Sequence, residues 1–117
     1  MTDRELLELA AKAAGIEVWP GAGFQAHVLF TRPDLADPSG KVTGVAWNPL
    51  QDDGQALRLA VNLRISIDYA LLPVELVLFV NACAEHLEPN ISHEDLMAAT
   101  RRAIVRAAAE IGKTRSD

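Results

Sequence analysis

The stretch from Ser92 to Ile111 constrains the fold more than any other part of the chain. Ser92 supplies a side-chain oxygen for a helix N-cap, Glu94 and Asp95 follow where the helix dipole favours negative charge, and Gly112 suits a C-terminal stop. Between these signals Ile104, Ala108 and Ile111 recur on one face. A helix of this kind is stable only with its apolar stripe against another element, and the pattern predicts that a sheet provides that surface. A chain of 117 residues has room for one such core and not for two. The reading is a single domain over residues 1–112 with a frayed tail over 113–117.

Hydrophobic residues make up 50% of the chain and aromatics 5%, so the core must be assembled mainly from Leu, Ile, Val and Ala. The formal net charge of -5 disfavours general binding to polyphosphate, although a local basic patch can overrule the total. Cys83 is the single cysteine, which excludes an intramolecular disulfide, and the first residues show no secretory pattern. Both observations predict a cytosolic protein. The longest apolar run, Ala70 to Ala84, is broken by Pro73, Glu75 and Asn81 and falls short of the roughly 20 residues of a membrane helix. It reads as a buried strand, and no membrane association is expected.

Thr2 and Glu5 form a capping-box pattern that starts a helix over about residues 3–14, with Leu6, Leu9, Ala10 and Ala13 inward and Gly15 at its end. Ile16 to Val18 has the composition of a short strand outside the main sheet. Gln25 to Thr31 and Val42 to Trp47 are expected to be antiparallel neighbours joined across the turn-rich segment Arg32 to Lys41. Asp52 and Gln55 announce a second helix running to about Leu63, with Ala56, Leu57, Ala60, Val61 and Leu63 as its buried stripe. Ile65 to Leu71 alternates as a half-buried strand, and Val74 to Cys83 reads as a central strand covered on both faces. The predicted class is α+β, in the order α-β-β-α-β-β-α, with a four-stranded, mainly antiparallel sheet and three helices.

Three blocks carry a resemblance to a known family: TDRELLELAAKAAGI from Thr2 to Ile16, WNPLQDDGQALRLAVNL from Trp47 to Leu63, and ATRRAIVRAAAEIG from Ala99 to Gly112. Their order and spacing resemble the small phage and prophage proteins described as phage ABA sandwich domains. The resemblance implies a three-layer α-β-α sandwich and a phage or prophage origin within a bacterium. It brings no catalytic residues with it.

Several constellations have both a chemical and a plain structural reading. Cys83, His86 and His93 form a C-x-x-H step with a second histidine, which can offer thiolate and imidazole to zinc, but a fourth ligand is missing. The structural reading makes Cys83 a small core residue at a strand end and the histidines loop or helix-start residues. Arg101, Arg102 and Arg106, extended by Lys113 and Arg115, are the one basic concentration. They suit an anion or nucleic-acid contact, or else a solvated helix face paired with Glu110. Asp52, Asp53 and Gly54 only begin a calcium-loop pattern and are better explained by helix capping. Glu85 and Glu88 beside His86 have no spacing that compels a shared cleft. Trp47 is expected in the core, whereas Trp19, next to Pro20 and a glycine-rich turn, is expected at the surface as a partner contact.

These readings converge on a non-enzymatic phage accessory protein that binds a host or phage protein in replication, regulation or defence and needs no cofactor. The alternative is a nucleic-acid-associated factor using Arg101, Arg102 and Arg106. A metal-dependent enzyme at Cys83, His86 and His93 ranks third. Exposed sheet edges also raise the expectation of a homodimer.

Overall fold

The computed structural model of the protein describes residues 2–21, 28–34, 43–72 and 75–114. Their order is α1 (Asp3–Ala14), β1 (Trp19–Pro20), β2 (Leu29–Asp34), β3 (Thr43–Ala46), α2 (Asp53–Leu63), β4 (Ile67–Leu72), β5 (Glu75–Val80), β6 (Cys83–Leu87) and α3 (His93–Thr114). The α+β class holds. The four-stranded sheet does not: the strands form two separate antiparallel sheets, ordered β1-β2-β3 and β4-β5-β6.

The helix starts follow the sequence. Glu5 N–H donates to the Thr2 hydroxyl, Gln55 N–H to the Asp52 carboxylate and Asp95 N–H to the Ser92 hydroxyl. Each bond satisfies one amide that a helix N-terminus leaves without an internal partner. Gly15 closes α1 in the left-handed region, φ 71°, and Ile16 N–H bonds back to Ala11 C=O. Gln55 reaches out of α2 at both ends of its amide, accepting from Asn48 N–H and donating to Ala46 C=O. It thereby fixes α2 to the end of β3, where Pro49 is fully buried.

β2 and β3 are the expected antiparallel pair, with Phe30 opposite Ala46 and Thr31 opposite Val45. β2 runs on through Pro33 to Asp34, and the register shifts between Thr31 and Asp34. A proline cannot donate to a ladder, which accounts for an irregularity at this point. The short strand expected at Ile16 to Val18 lies one step later, where Trp19 and Pro20 pair with Phe30 and Leu29. Gln25 to His27, part of the expected strand, and the segment 35–42, most of the expected loop, lie outside the described residues, as does Phe24.

The second sheet departs further from expectation. β5 is central, as predicted, but it ends at Val80, and Asn81 and Ala82 turn the chain at φ 50° and 67° into β6. Two consecutive positive φ values are the signature of a two-residue type I′ hairpin turn. Asn81 tolerates the left-handed region and also accepts from Ser66 N–H with its side chain. Sequence reading missed this turn because it lacks the usual glycine. Cys83 therefore begins a strand and is exposed, rather than ending one in the core.

The core gathers where the three helices meet. Leu6, Leu7, Ala10, Leu59, Ile104 and Val105 are among its members, joined from the strands and loops by Leu29, Trp47, Ile65, Leu78 and Val80. Trp47 is buried as expected. In α2 the buried residues are Ala56, Leu59 and Ala60, and the predicted members Leu57 and Val61 are 60% and 68% exposed. The buried face is rotated from the predicted one, keeping Ala56 and Ala60: positions 56, 59 and 60 share a face at helical spacing, and 57 and 61 lie beside it.

α3 is the largest correction. It runs to Thr114, past Gly112, which is buried inside the helix and not at its end. Lys113 and Thr114 are thus helical, and the remainder of the expected frayed tail, 115–117, lies outside the described residues. Outside the strand ladders, its most extensive packing is against α1, with α2 next and β5 a smaller contact. The helix expected to lie on a sheet lies mainly on another helix, and among the described residues no single sheet separates the helices into a sandwich. Leu78 and Val80 line the cleft beneath it from β5, and Val77, on the other parity of that strand, is also buried.

Ile104 is 4% exposed within this core. Ile104→Asp buries an unpaired carboxylate and leaves a cavity, at a cost of roughly 4 kcal/mol or more, comparable to the stability of a whole small domain. The expected result is loss of the cooperative urea transition followed by circular dichroism. Arg102→Ala, which breaks only the half-exposed pair with Asp3, should keep the transition within about 0.5 kcal/mol.

Candidate functional site

The arginines of α3 are the residues with the clearest candidate chemistry, and the fold divides them. Arg101 donates through Nε to Leu50 C=O at 2.8 Å and through Nη1 to the Asp53 carboxylate at 2.6 Å. Its side chain is 19% exposed. Arg102 forms a two-bond fork onto Asp3, at 3.1 and 3.3 Å. Arg106 has neither hydrogen bond nor ion pair among the described residues. The pairing with Glu110 expected for this face is made by Lys113 instead, at 3.0 Å. Arg115 lies outside the described residues.

This pairing sets what the patch can do. A guanidinium already held by a carboxylate and a backbone carbonyl has fewer donors left for a phosphate, and its charge is neutralised locally. Arg101 and Arg102 line one groove of about 730 Å³ with Thr2, Asp3, Asn48 and Leu50, between the starts of α1 and α2 and the N-terminal half of α3. Arg106 lines a different one, of about 620 Å³, between the C-terminal half of α3 and the β5-β6 hairpin. The three cations therefore serve two clefts, and two of them tie α3 to the N-terminal ends of the other helices.

Cys83, His86 and His93 are not brought together. Alternate residues of a strand face opposite sides, so Cys83 and His86, three apart on β6, point away from each other. Cys83 borders the cleft under α3. His86 Nδ1 is 2.7 Å from the Glu75 carboxylate on the other face of the sheet, and His93 is exposed at the start of α3. Among the described residues no group of three or more His, Cys, Asp or Glu side chains is placed to hold a metal ion. Asp52 caps α2 and Asp53 holds Arg101, which completes the capping account of that pair.

Among the described residues, the large apolar side chains that the fold leaves at the surface are Trp19, Leu57, Val61, Tyr69, Leu71 and Leu72. Trp19, 40% exposed, was anticipated; the others were not. Leu57 and Val61 lie one turn apart on α2, and Tyr69, Leu71 and Leu72 lie together on β4. The signal for the β4 group was present in the sequence as apolar residues on both parities of Tyr69–Leu72. No helix among the described residues is long and apolar enough to cross a membrane.

Comparisons with family models, with curated proteins and with solved structures return no match for this chain.

The division of the arginines has a direct test in stability. Arg101→Ala removes a bond to a main-chain carbonyl along with the ion pair and is expected to cost about 1–2 kcal/mol, after discounting the exposed Asp53 side of the contact. Arg106→Ala is expected to stay within about 0.5 kcal/mol of the parent. Equal losses in urea titrations would contradict the assignment of Arg101 as the structural arginine.

Proposed function

We propose that the protein is a non-catalytic accessory factor of phage or prophage origin that binds another protein in the cytoplasm of the bacterial host. The origin rests on the resemblance of the segments 2–16, 47–63 and 99–112 to phage ABA sandwich domains. The binding role rests chiefly on one observation, the exposed Leu57 and Val61 stripe of α2. A folded chain gains by covering such side chains, and adjacent exposed aliphatics on a rigid helix are the raw material of an interface core. Trp19 adds an aromatic of the type that dominates interface energetics.

The nucleic-acid alternative draws on Arg101, Arg102 and Arg106, of which the first two are occupied by Asp53, Leu50 and Asp3. It predicts binding that falls steeply with salt, whereas an apolar contact on α2 is nearly insensitive to it.

The test uses the full chain immobilised in host lysate, then the captured protein purified and titrated back. The expected result is one reproducible partner whose affinity drops about tenfold or more with Leu57→Ser and Val61→Ser together and changes little with salt. A partner held equally well by that double variant would remove the α2 reading. Capture of nucleic acid that is lost with Arg106→Ala would favour the alternative.

A further inference from the structure

The β4-β5-β6 sheet has two open edges among the described residues, and they differ in kind. β6 is short and carries Glu85 and His86, with Glu88 and Pro89 just beyond it. Charges and proline of this sort blunt an edge against further pairing. β4 is less protected: its sequence is IDYALL with Asp68 as its single charge, Pro73 comes only after its last residue, and its pairing with β5 runs from Ile67 opposite Val80 to Leu72 opposite Glu75 without a bulge.

The direction of its main-chain groups follows from two contacts. Asn81 N–H donates to Ser66 C=O, so Ser66 points toward β5, and by alternation Asp68, Ala70 and Leu72 do the same. Ile67, Tyr69 and Leu71 then present their N–H and C=O groups to the open side. Independently, Tyr69 N–H is taken by the carboxylate of its own neighbour Asp68, at 2.9 Å, as an amide pointing away from the ladder would be. Tyr69 and Leu71 are also 45% and 74% exposed.

We propose that β4 pairs antiparallel with β4 of a second copy of this chain, about a two-fold axis through Tyr69, to give a continuous six-stranded sheet. The strand is its own complement in this register. Tyr69 meets Tyr69 of the copy and Ile67 meets Leu71 in both directions, so all three outward residues are matched and about six main-chain hydrogen bonds form. On the other face Asp68 meets Ala70, and the two Asp68 carboxylates are kept apart. Shifting the register by two residues would bring Ile67 opposite Pro73, which has no N–H to give, and would leave outward groups unmatched. On pairing, Tyr69 N–H exchanges the Asp68 carboxylate for a carbonyl of the partner strand. This self-association uses β4, whereas the proposed partner contact uses α2 and Trp19, so the two stand or fall separately.

The experiment is sedimentation of the purified full chain under reducing conditions, from about 1 to 500 μM, with circular dichroism on each variant. The parent is expected to show a monomer-dimer equilibrium. Leu71→Lys, at a side chain exposed enough to leave the fold intact, should raise the dissociation constant about tenfold or more, and Leu57→Lys on α2 should leave it unchanged. Ala70→Lys reads the register by its sign. Opposite Asp68 of the copy it should tighten the dimer about two- to tenfold, whereas in a register placing residue 70 against itself two lysines would meet and loosen it. A chain that stays monomeric throughout, a dimer indifferent to Leu71→Lys, or a dimer weakened by Ala70→Lys would overturn the proposal. A monomer whose Tyr69 and Leu71 amides become protected only when an extended peptide is added would assign the edge to another chain and overturn it equally.

Discussion

The backbone contact between α1 and α3 at Gly112 is the constraint on which the rest of the architecture depends. A Cβ at position 112 would run into the Leu9 carbonyl of α1. Glycine there lets two helices approach to main-chain distance, and Ala10, Ala11, Ala108 and Ala109, all buried to 1% or less, extend the same close seam. Small residues forgo the large transfer energy of Leu or Phe, but they allow dense packing along a long line of contact. In a chain with few aromatics this is how a helical core reaches useful stability.

From that seam α3 acts as a spine to which the other elements are attached by specific side chains. Near its start Thr100 shares a hydrogen bond with the Tyr69 hydroxyl of β4. One residue on, Arg101 holds Leu50 and Asp53 and so the beginning of α2, and Arg102 holds Asp3 at the beginning of α1. Farther along, Ala103 and Ala107 face Leu78 and Val80 across the cleft under β5. The arginines that looked like a binding patch in sequence are in two cases out of three the fastenings of this spine. Among the described residues, the fold leaves exposed Arg106 and an apolar set: one turn of α2, Trp19 and the open side of β4.

Much of this was legible beforehand, and the exceptions have physical causes. Helix starts were read correctly because Thr2, Asp52 and Ser92 each satisfy a local amide, a chemistry that depends on few neighbours. The β2-β3 pairing followed from a dense cluster of turn formers between two β-rich runs. The β5-β6 turn was hidden because Asn81 and Ala82 adopt left-handed geometry without glycine, so a hairpin read as one strand. Gly112 reads as a helix stop because local sequence cannot distinguish a glycine that ends a helix from one that makes room for another helix. The cluster of Cys83, His86 and His93 failed for a reason of period: the spacing that would bring ligands together on a helix separates them on a strand. The partition of exposed and buried residues on α2 depended on where α1 and α3 lie, which no local pattern contains.

One substitution at position 112 has opposite signs under the two roles a glycine can play there. If Gly112 only ended or interrupted a solvated helix, Gly112→Ala would raise helix propensity and stabilise the protein by about 1 kcal/mol. If Gly112 is the point of closest approach between α1 and α3, the same methyl group has nowhere to go. Urea unfolding of Gly112→Ala, with the slope checked against the parent, is predicted to show a loss of about 2 kcal/mol or more. An unchanged or higher midpoint would contradict the close seam and with it the account of α3 as the spine of the fold.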